Sequence, residues 1–94
     1  MNKRQLIAAA GRRSSLTQVQ TREALEAILL VIGHSLADGE HVTISGFGRF
    51  HVQHYAGRKL RRFDGPGHYE VEDRRVPVFR ASKLLRRKLR RKDP

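Results

Sequence analysis

Cysteine and tryptophan are missing from this 94-residue sequence. Without cysteine there is no disulfide to staple the fold and no thiolate to serve as nucleophile or metal ligand. Aromatic residues make up only 6%, four Phe and two Tyr, and proline occurs three times. Acidic residues are also few: nine Asp plus Glu face 20 Lys plus Arg, a formal net charge of +11. An excess of this size exceeds what solubility requires and favours a polyanionic partner, nucleic acid ahead of an anionic membrane surface. The longest apolar run, Ala27 to Ile32, has six residues, against the roughly twenty that span a bilayer. Lys3-Arg4 followed by Leu6 to Ala10 faintly resembles a signal peptide, but the apolar stretch runs straight into Gly11-Arg12-Arg13 and reads as a helix. These features predict a cytoplasmic protein without a membrane partner.

Signatures of catalysis are missing too. The five histidines are scattered, and His51 and His54, three apart on an extended stretch, project to opposite faces. No His-Glu-x-x-His pair and no nucleophile elbow occur. The chain is therefore expected not to be an enzyme, to need no metal or other cofactor, and to have no small-molecule substrate.

The charge is unevenly distributed. Residues 1–46 hold five basic and four acidic residues, and residues 47–94 hold fifteen and five. This divides the chain into a packing half and a binding half. For a chain of this length, surface scaling gives roughly 5,500 Å² accessible when folded, enough for one modest core. The sequence thus predicts a single domain over 1–94: a helical part at 1–40, a β-sheet at 41–81 with a projecting arm at about 53–75, and a basic C-terminal helix and tail at 82–94.

In the helical part, Leu6, Ile7 and Ala10 predict a first helix from about Lys3 to Ala10, with Gly11 as its stop. A second helix starts after Thr17, whose hydroxyl suits an N-cap, and ends near Asp38-Gly39. Leu25, Ile28, Leu29, Ile32 and Leu36 follow helical spacing and form the face that meets the domain's own core. Ala24, Ala27, Leu30 and Val31 spread apolar atoms onto neighbouring faces. A helix sandwiched within the monomer is one outcome, but so small a chain has little left to cover it, and dimerisation is favoured. Gly33, inside this helix, either permits close packing or has no role.

From Val42 the period changes to two, with Val42, Ile44, Phe50 and Val52 on one face and Thr43, Ser45, Arg49, His51 and Gln53 on the other. Gly46-Phe47-Gly48 interrupts the alternation and suits a tight turn with positive backbone angles at its glycines. Phe47 on that turn awaits burial by a second subunit. The stretch from Ala56 to Gly67 is basic and poor in core residues, and Asp64-Gly65 and Pro66-Gly67 are turn signals. It predicts a long hairpin arm returning through Tyr69 and Val71 to Val76-Pro77-Val78-Phe79. The apolar spacing shifts from odd to even positions across Asp73-Arg74, which predicts a β-bulge there. The chain closes with a helix capped by Ser82 and running through Lys92, with Leu85 and Leu89 as its seam.

Taken together, Met1-Asn2-Lys3, the Leu16-Thr17 helix start, Asp38-Gly39-Glu40, Gly46-Phe47-Gly48-Arg49-Phe50 and Val76-Pro77-Val78-Phe79 resemble the bacterial HU and integration host factor family of histone-like DNA-binding proteins, over essentially residues 1–92. The resemblance implies an α+β fold: an intertwined dimer with a helical base, a β-sheet body and one two-stranded β-arm per subunit. It implies a nucleoid protein that binds double-stranded DNA through the minor groove with low sequence specificity, bends it and organises the chromosome. A site-preferring bender of the integration host factor type, or an RNA-binding basic protein, are the alternatives.

Residue by residue, the contacts assigned to DNA are Lys3, Arg58, Lys59, Arg61, Arg62, Arg74, Arg75, Arg80, Lys83, Arg86 and Arg87. In the family an Arg-Asn-Pro sequence at the arm tip places a proline wedge between base pairs. Here Arg61-Arg62-Phe63 matches it, so Phe63 is the first choice of wedge and Pro66 the second. In the alternative, Phe63 folds back on Leu60 or Tyr69 to stabilise the hairpin, and either Pro66 is the wedge or there is none. The dimer interface is assigned to Leu25, Ile28, Leu29, Leu30, Ile32 and Leu36 of the helix and Ile44, Phe47, Phe50 and Phe79 of the sheet. A homodimer is the default, and a heterodimer with a related chain uses the same surface. Tyr55, the acidic Glu70-Val71-Glu72-Asp73 on the returning strand, and Ser82 where glycine is common depart from the family pattern.

Overall fold

A computed structural model describes residues 1–90. The order is α1 (Lys3–Arg13), α2 (Gln18–Ala37), β1 (Val42–Ile44), β2 (Gly48–Tyr55), β3 (Arg58–Arg61), β4 (His68–Val71), β5 (Arg74–Ala81) and α3 (Lys83–Arg90). This is the α+β arrangement that the sequence predicts. The part of the C-terminal helix and tail assigned to 91–94 lies outside the described residues. The chain divides into two compact units, Met1–Ser35 and Leu36–Pro94.

In the first unit both helices open on reciprocal caps. The Asn2 side chain accepts from the Gln5 N–H, and the Gln5 side chain accepts from the Asn2 N–H, each at 2.9 Å. Thr17 Oγ1 likewise accepts from the Gln20 N–H at 3.1 Å while Gln20 Oε1 accepts from the Thr17 N–H at 3.0 Å. Each box satisfies two N–H groups that a helix start leaves unpaired.

Gly11 is not the predicted stop of α1. The helix continues to Arg13 and is capped by Ser14. Gly11 is buried instead, at a place where a Cβ would stand 3.2 Å from Gln18 Cδ and 3.4 Å from Thr21 Oγ1. Its value is close helix approach, which periodicity alone does not reveal. Ile7 and Thr21 are buried beside this crossing. The Thr21 hydroxyl donates to the Thr17 carbonyl at 2.8 Å, so its burial leaves no unpaired polar atom. Gly33 has nothing within 4 Å of a would-be Cβ, so close packing within the chain does not explain it.

The apolar face of α2 does not find the core predicted for it. Leu25, Ile32 and Leu36 are half-buried, but Ile28, Leu29, Leu30 and Val31 stay exposed. Among the described residues Ile7 is the one buried hydrophobic residue. A chain this short spends its residues on a helix and a long sheet that it has no further layer to cover.

In the second unit, β1, β2 and β5 form an antiparallel sheet in the order β1-β2-β5. Val42 pairs with Phe50, Phe50 with Phe79 and Val52 with Pro77, which collects the apolar side chains on one face as the alternation predicts. Pro77, lacking an N–H, sits on an edge strand where none is required. The tight turn carries one positive backbone angle, at Gly46 (φ +79°), not two. Gly48 is needed for a different reason: a Cβ there would lie 2.5 Å from the Phe79 ring and 2.7 Å from the Arg80 carbonyl. The Phe79 ring packs against Phe50 and Phe47, with centroids 5.0 and 5.3 Å away. The Phe47 carbonyl accepts from the Ser82 N–H at 2.9 Å, and Ser82 Oγ caps α3 through the Leu85 N–H at 3.1 Å. Leu85 is half-buried and Leu89 exposed, so the predicted seam is only partly covered.

The arm is the separate two-stranded ladder β3-β4. It is not set off from the body by a β-bulge. The last body pair is Tyr55↔Arg74 and the first arm pair is Arg58↔Val71, leaving two residues on each side. A bulge would put unequal numbers in the two strands. The register therefore runs through a symmetric gap: Tyr69 and Val71 keep the parity of Pro77 and Phe79, which pair with Val52 and Phe50, while Val76 and Val78 pair with Gln53 and His51 on the other face.

Candidate nucleic-acid interface

Strand pairing sorts the cations of the arm. Arg58 faces Val71, Lys59 faces Glu70, and Arg61 faces His68, while Leu60 and Tyr69 pair as an apolar rung. Lys59 and Arg61 therefore share one face of a narrow ribbon. Apart from half-buried Leu60 and Val71, the arm is exposed from Arg58 to Glu70, so its charges stand in solvent with little chain behind them.

At the tip, Arg62 to Gly67 forms a loop closed by the Arg62 N–H donating to the Gly67 carbonyl at 3.2 Å. Gly67 has φ +106°, a backbone angle that side chains rarely adopt, which explains a glycine there. Phe63 projects from this loop at 103% relative exposure. It does not fold back on Leu60 or Tyr69. An aromatic ring so placed is energetically costly in water and available to a partner. Pro66 is exposed on the same loop.

On the body, the register brings Arg49 directly opposite Arg80, both exposed. Like charges facing across a ladder repel, and an anion between them removes the cost. Arg49 is absent from the sequence-based contacts because alternation marks it only as polar; its pairing with Arg80 is a property of register. Arg74 lies over the Tyr55 ring, 4.7 Å from its centroid, a cation–π contact at the foot of the arm.

Arg75 is held differently. Its Nη2 donates to the Leu36 and Ala37 carbonyls at 3.1 and 3.0 Å. These carbonyls end α2, where the Leu36 carbonyl also accepts from the Gly39 N–H at 3.0 Å, and the guanidinium adds a side-chain cap to this helix end. Arg75→Ala is expected to lower unfolding stability by about 1 kcal/mol while leaving the salt dependence of DNA binding nearly unchanged. Denaturant titration and binding at two salt concentrations check this.

On α3, Lys83, Arg86, Arg87 and Arg90 surround an open hollow of about 240 Å³. Their spacing places four cations on one side of the helix, and Arg90 joins the three predicted from sequence. Lys3 reaches Glu26 Oε1 at 3.5 Å, both side chains about half exposed. A surface pair of this kind is worth roughly 0–1 kcal/mol, too little to commit the ammonium. Among the described residues no three His, Asp or Glu side chains cluster as a metal site, and no helix is long and apolar enough to cross a membrane.

The residues assigned to a dimer interface stand where a second chain can reach them. Ile28, Leu29, Leu30, Ile44, Phe47 and Phe79 are exposed, and Leu25, Ile32, Leu36 and Phe50 are half-buried.

Comparison with known proteins gives a consistent result. The family model described as "Bacterial DNA-binding protein" matches residues 1–90. The chain is 37% identical over 86 residues to the DNA-binding protein HU of Staphylococcus aureus, covering 92% of this chain and 96% of that protein. It is 38% identical over 86 residues to HU-alpha of Vibrio cholerae, with the same coverage. Among solved structures it resembles the Anabaena HU–DNA cocrystal structure, with TM-score 0.84, 34% identity and coverage of 96% and 98%. It also resembles HU from Thermotoga maritima, with TM-score 0.70, 29% identity and coverage of 96% and 100%.

Proposed function

Since the chain belongs to the bacterial DNA-binding protein family that includes HU, and is an architectural DNA-binding protein, we propose that it works by neutralising duplex phosphates and then bending the duplex from the minor groove. The observation that carries this mechanism is the arm: a ribbon bearing Arg58, Lys59, Arg61 and Arg62, ending in a fully exposed Phe63. A narrow ribbon fits the minor groove, and an apolar side chain at its tip enters a base step that the bend opens. The minor groove separates A·T from G·C but little else, so sequence specificity is low.

Arg49, Arg74, Arg80, Lys83, Arg86, Arg87 and Lys3 hold the flanking phosphates, and Arg75 anchors the arm base. Phe63 is the wedge, with Pro66 shaping the loop that presents it. Two copies of the chain bury the exposed faces of α2 and of the Phe47–Phe79 cluster against each other, which supplies two arms to one duplex. The protein compacts DNA on the nucleoid, in the cytoplasm, and carries out no catalysis.

Phe63→Ala tests the wedge. The variant is expected to bind duplex DNA within a few-fold of the parent but to bend it much less, read as energy transfer between dyes at the two ends of a short duplex. Unchanged bending removes Phe63 from the mechanism. Preference for bent or nicked duplex over single-stranded RNA in the same titration supports duplex bending; the reverse preference defeats it.

A further inference from the structure

The acidic run on the returning strand of a DNA-binding arm needs an explanation, since Glu70, Glu72 and Asp73 face the wrong way electrostatically for phosphate. One of them has a partner. The Asp73 carboxylate accepts from the backbone N–H of Gly57, across the symmetric gap between body and arm. We propose that Asp73 is a positioning residue: with Gly57 it forms a clip that fixes the direction in which the arm leaves the body, and so the angle at which the tip meets the duplex. This rests on the arm being the DNA-bending element proposed above.

Three features support the clip. The gap leaves Ala56 and Gly57 on one strand and Glu72 and Asp73 on the other without ladder partners. A ribbon two strands wide interrupted in both strands is free to hinge unless something bridges it. Asp73 supplies the acceptor that Gly57 lacks. The second feature is Gly57 itself. A Cβ there would lie 2.9 Å from the Asp73 backbone nitrogen and 3.0 Å from Asp73 Oδ1, and closest of all to the Val71 carbonyl. The returning backbone comes so near that only glycine fits, and the approach is what puts the carboxylate on the N–H. The third is the rung below, where Arg74 lies over Tyr55 and Arg75 caps α2. The body side of the gap is thereby held, so the clip is the remaining joint between a fixed root and the arm. A hydrogen bond to a charged acceptor is about twice as strong as a neutral one, which suits a single-bond fastening in solvent.

The charge of Asp73 and its role as acceptor are separated by two variants. Asp73→Asn and Asp73→Ala remove the same negative charge, but asparagine keeps Oδ1 as an acceptor and alanine does not. Any difference between them therefore reports the hydrogen bond and not the electrostatics of DNA binding. In the full chain without DNA, the Gly57 amide is expected to exchange with solvent about tenfold faster in Asp73→Ala than in Asp73→Asn, with circular dichroism showing both folded. On the end-labelled duplex at saturating protein, Asp73→Asn, which keeps a weaker neutral acceptor, is expected to retain most of the parent's bending signal, and Asp73→Ala to lose about half of it. Equal exchange and equal bending in the two variants overturn the proposal. Faster exchange with unchanged bending also overturns it, because the clip then exists without aiming the arm. If the parent itself fails to bend duplex DNA, the DNA-bending mechanism falls instead, while the exchange comparison still reads the clip.

Discussion

Raising the salt from 50 to 200 mM is expected to weaken duplex binding by about 10⁵-fold. The estimate follows from counterion release: the logarithm of the association constant falls with the logarithm of salt at roughly 0.9 per phosphate neutralised, and about ten phosphates per dimer give a slope near −9. Ten is a conservative number for this chain. Arg49, Arg58, Lys59, Arg61, Arg62, Arg74, Arg80, Lys83, Arg86 and Arg87 are exposed on the arm, sheet and α3, and two chains double them. Glu70 and Glu72 on the returning strand offset part of that charge, and geometry keeps some of the cations off the backbone. Replacing Arg58 and Arg61 by glutamine removes four charges per dimer and is expected to flatten the slope by about 2 to 3.6, the upper figure holding if all four contact phosphate. A gel-shift or fluorescence titration across several salt concentrations measures both slopes. A parent slope near −2 contradicts phosphate neutralisation as the main source of affinity, whatever the affinity at one salt concentration.

The cation-rich half was visible in the sequence because charge needs no fold to be counted, but the partners of each cation were not. Arg75 and Arg80 look alike in the chain. Register places Arg80 opposite Arg49, whereas Arg75 reaches two carbonyls 38 and 39 residues earlier. The turns were legible for the same reason that they form: Gly46 and Gly39 adopt positive φ, and Thr17 and Ser82 hold the oxygens that helix starts require. Gly11, Gly48 and Gly57 misled or went unread because each is a glycine of close approach, where the deciding atom belongs to a residue distant in sequence. The bulge expected near Asp73 rested on the parity of Val76 and Val78. The residues that pair with Phe50 and Val52 are instead Phe79 and Pro77, which share the parity of Tyr69 and Val71, and a gap of two residues in each strand preserves it. Phe63 was legible as an exposed apolar residue among turn signals.

Leu29→Asp is expected to abolish the stable dimer, raising its dissociation constant at least 10³-fold, and to take folding and DNA binding with it. Leu29 is 48% exposed in the single chain and lies between Ile28 and Leu30, which are exposed as well. Burial of a leucine contributes about 2 kcal/mol, and an unpaired carboxylate forced into an apolar interface costs several more. In a two-fold dimer the change occurs in both chains, so the penalty is incurred twice if the two sites are independent. Leu29→Met keeps volume and polarity and is expected to remain dimeric. Sedimentation equilibrium with circular dichroism across micromolar concentrations reads both outcomes: a Leu29→Asp protein that stays dimeric sinks the proposed interface, and a folded single chain shows that folding does not depend on it. The coupling to DNA follows from the same surface. One arm alone forms few contacts with a duplex, whereas two arms joined through a shared base act at high effective concentration, so that closing the second on the DNA becomes an intramolecular step. Loss of the apolar face of α2 therefore removes not one contact but the geometry that lets two weak arms hold and bend a single duplex.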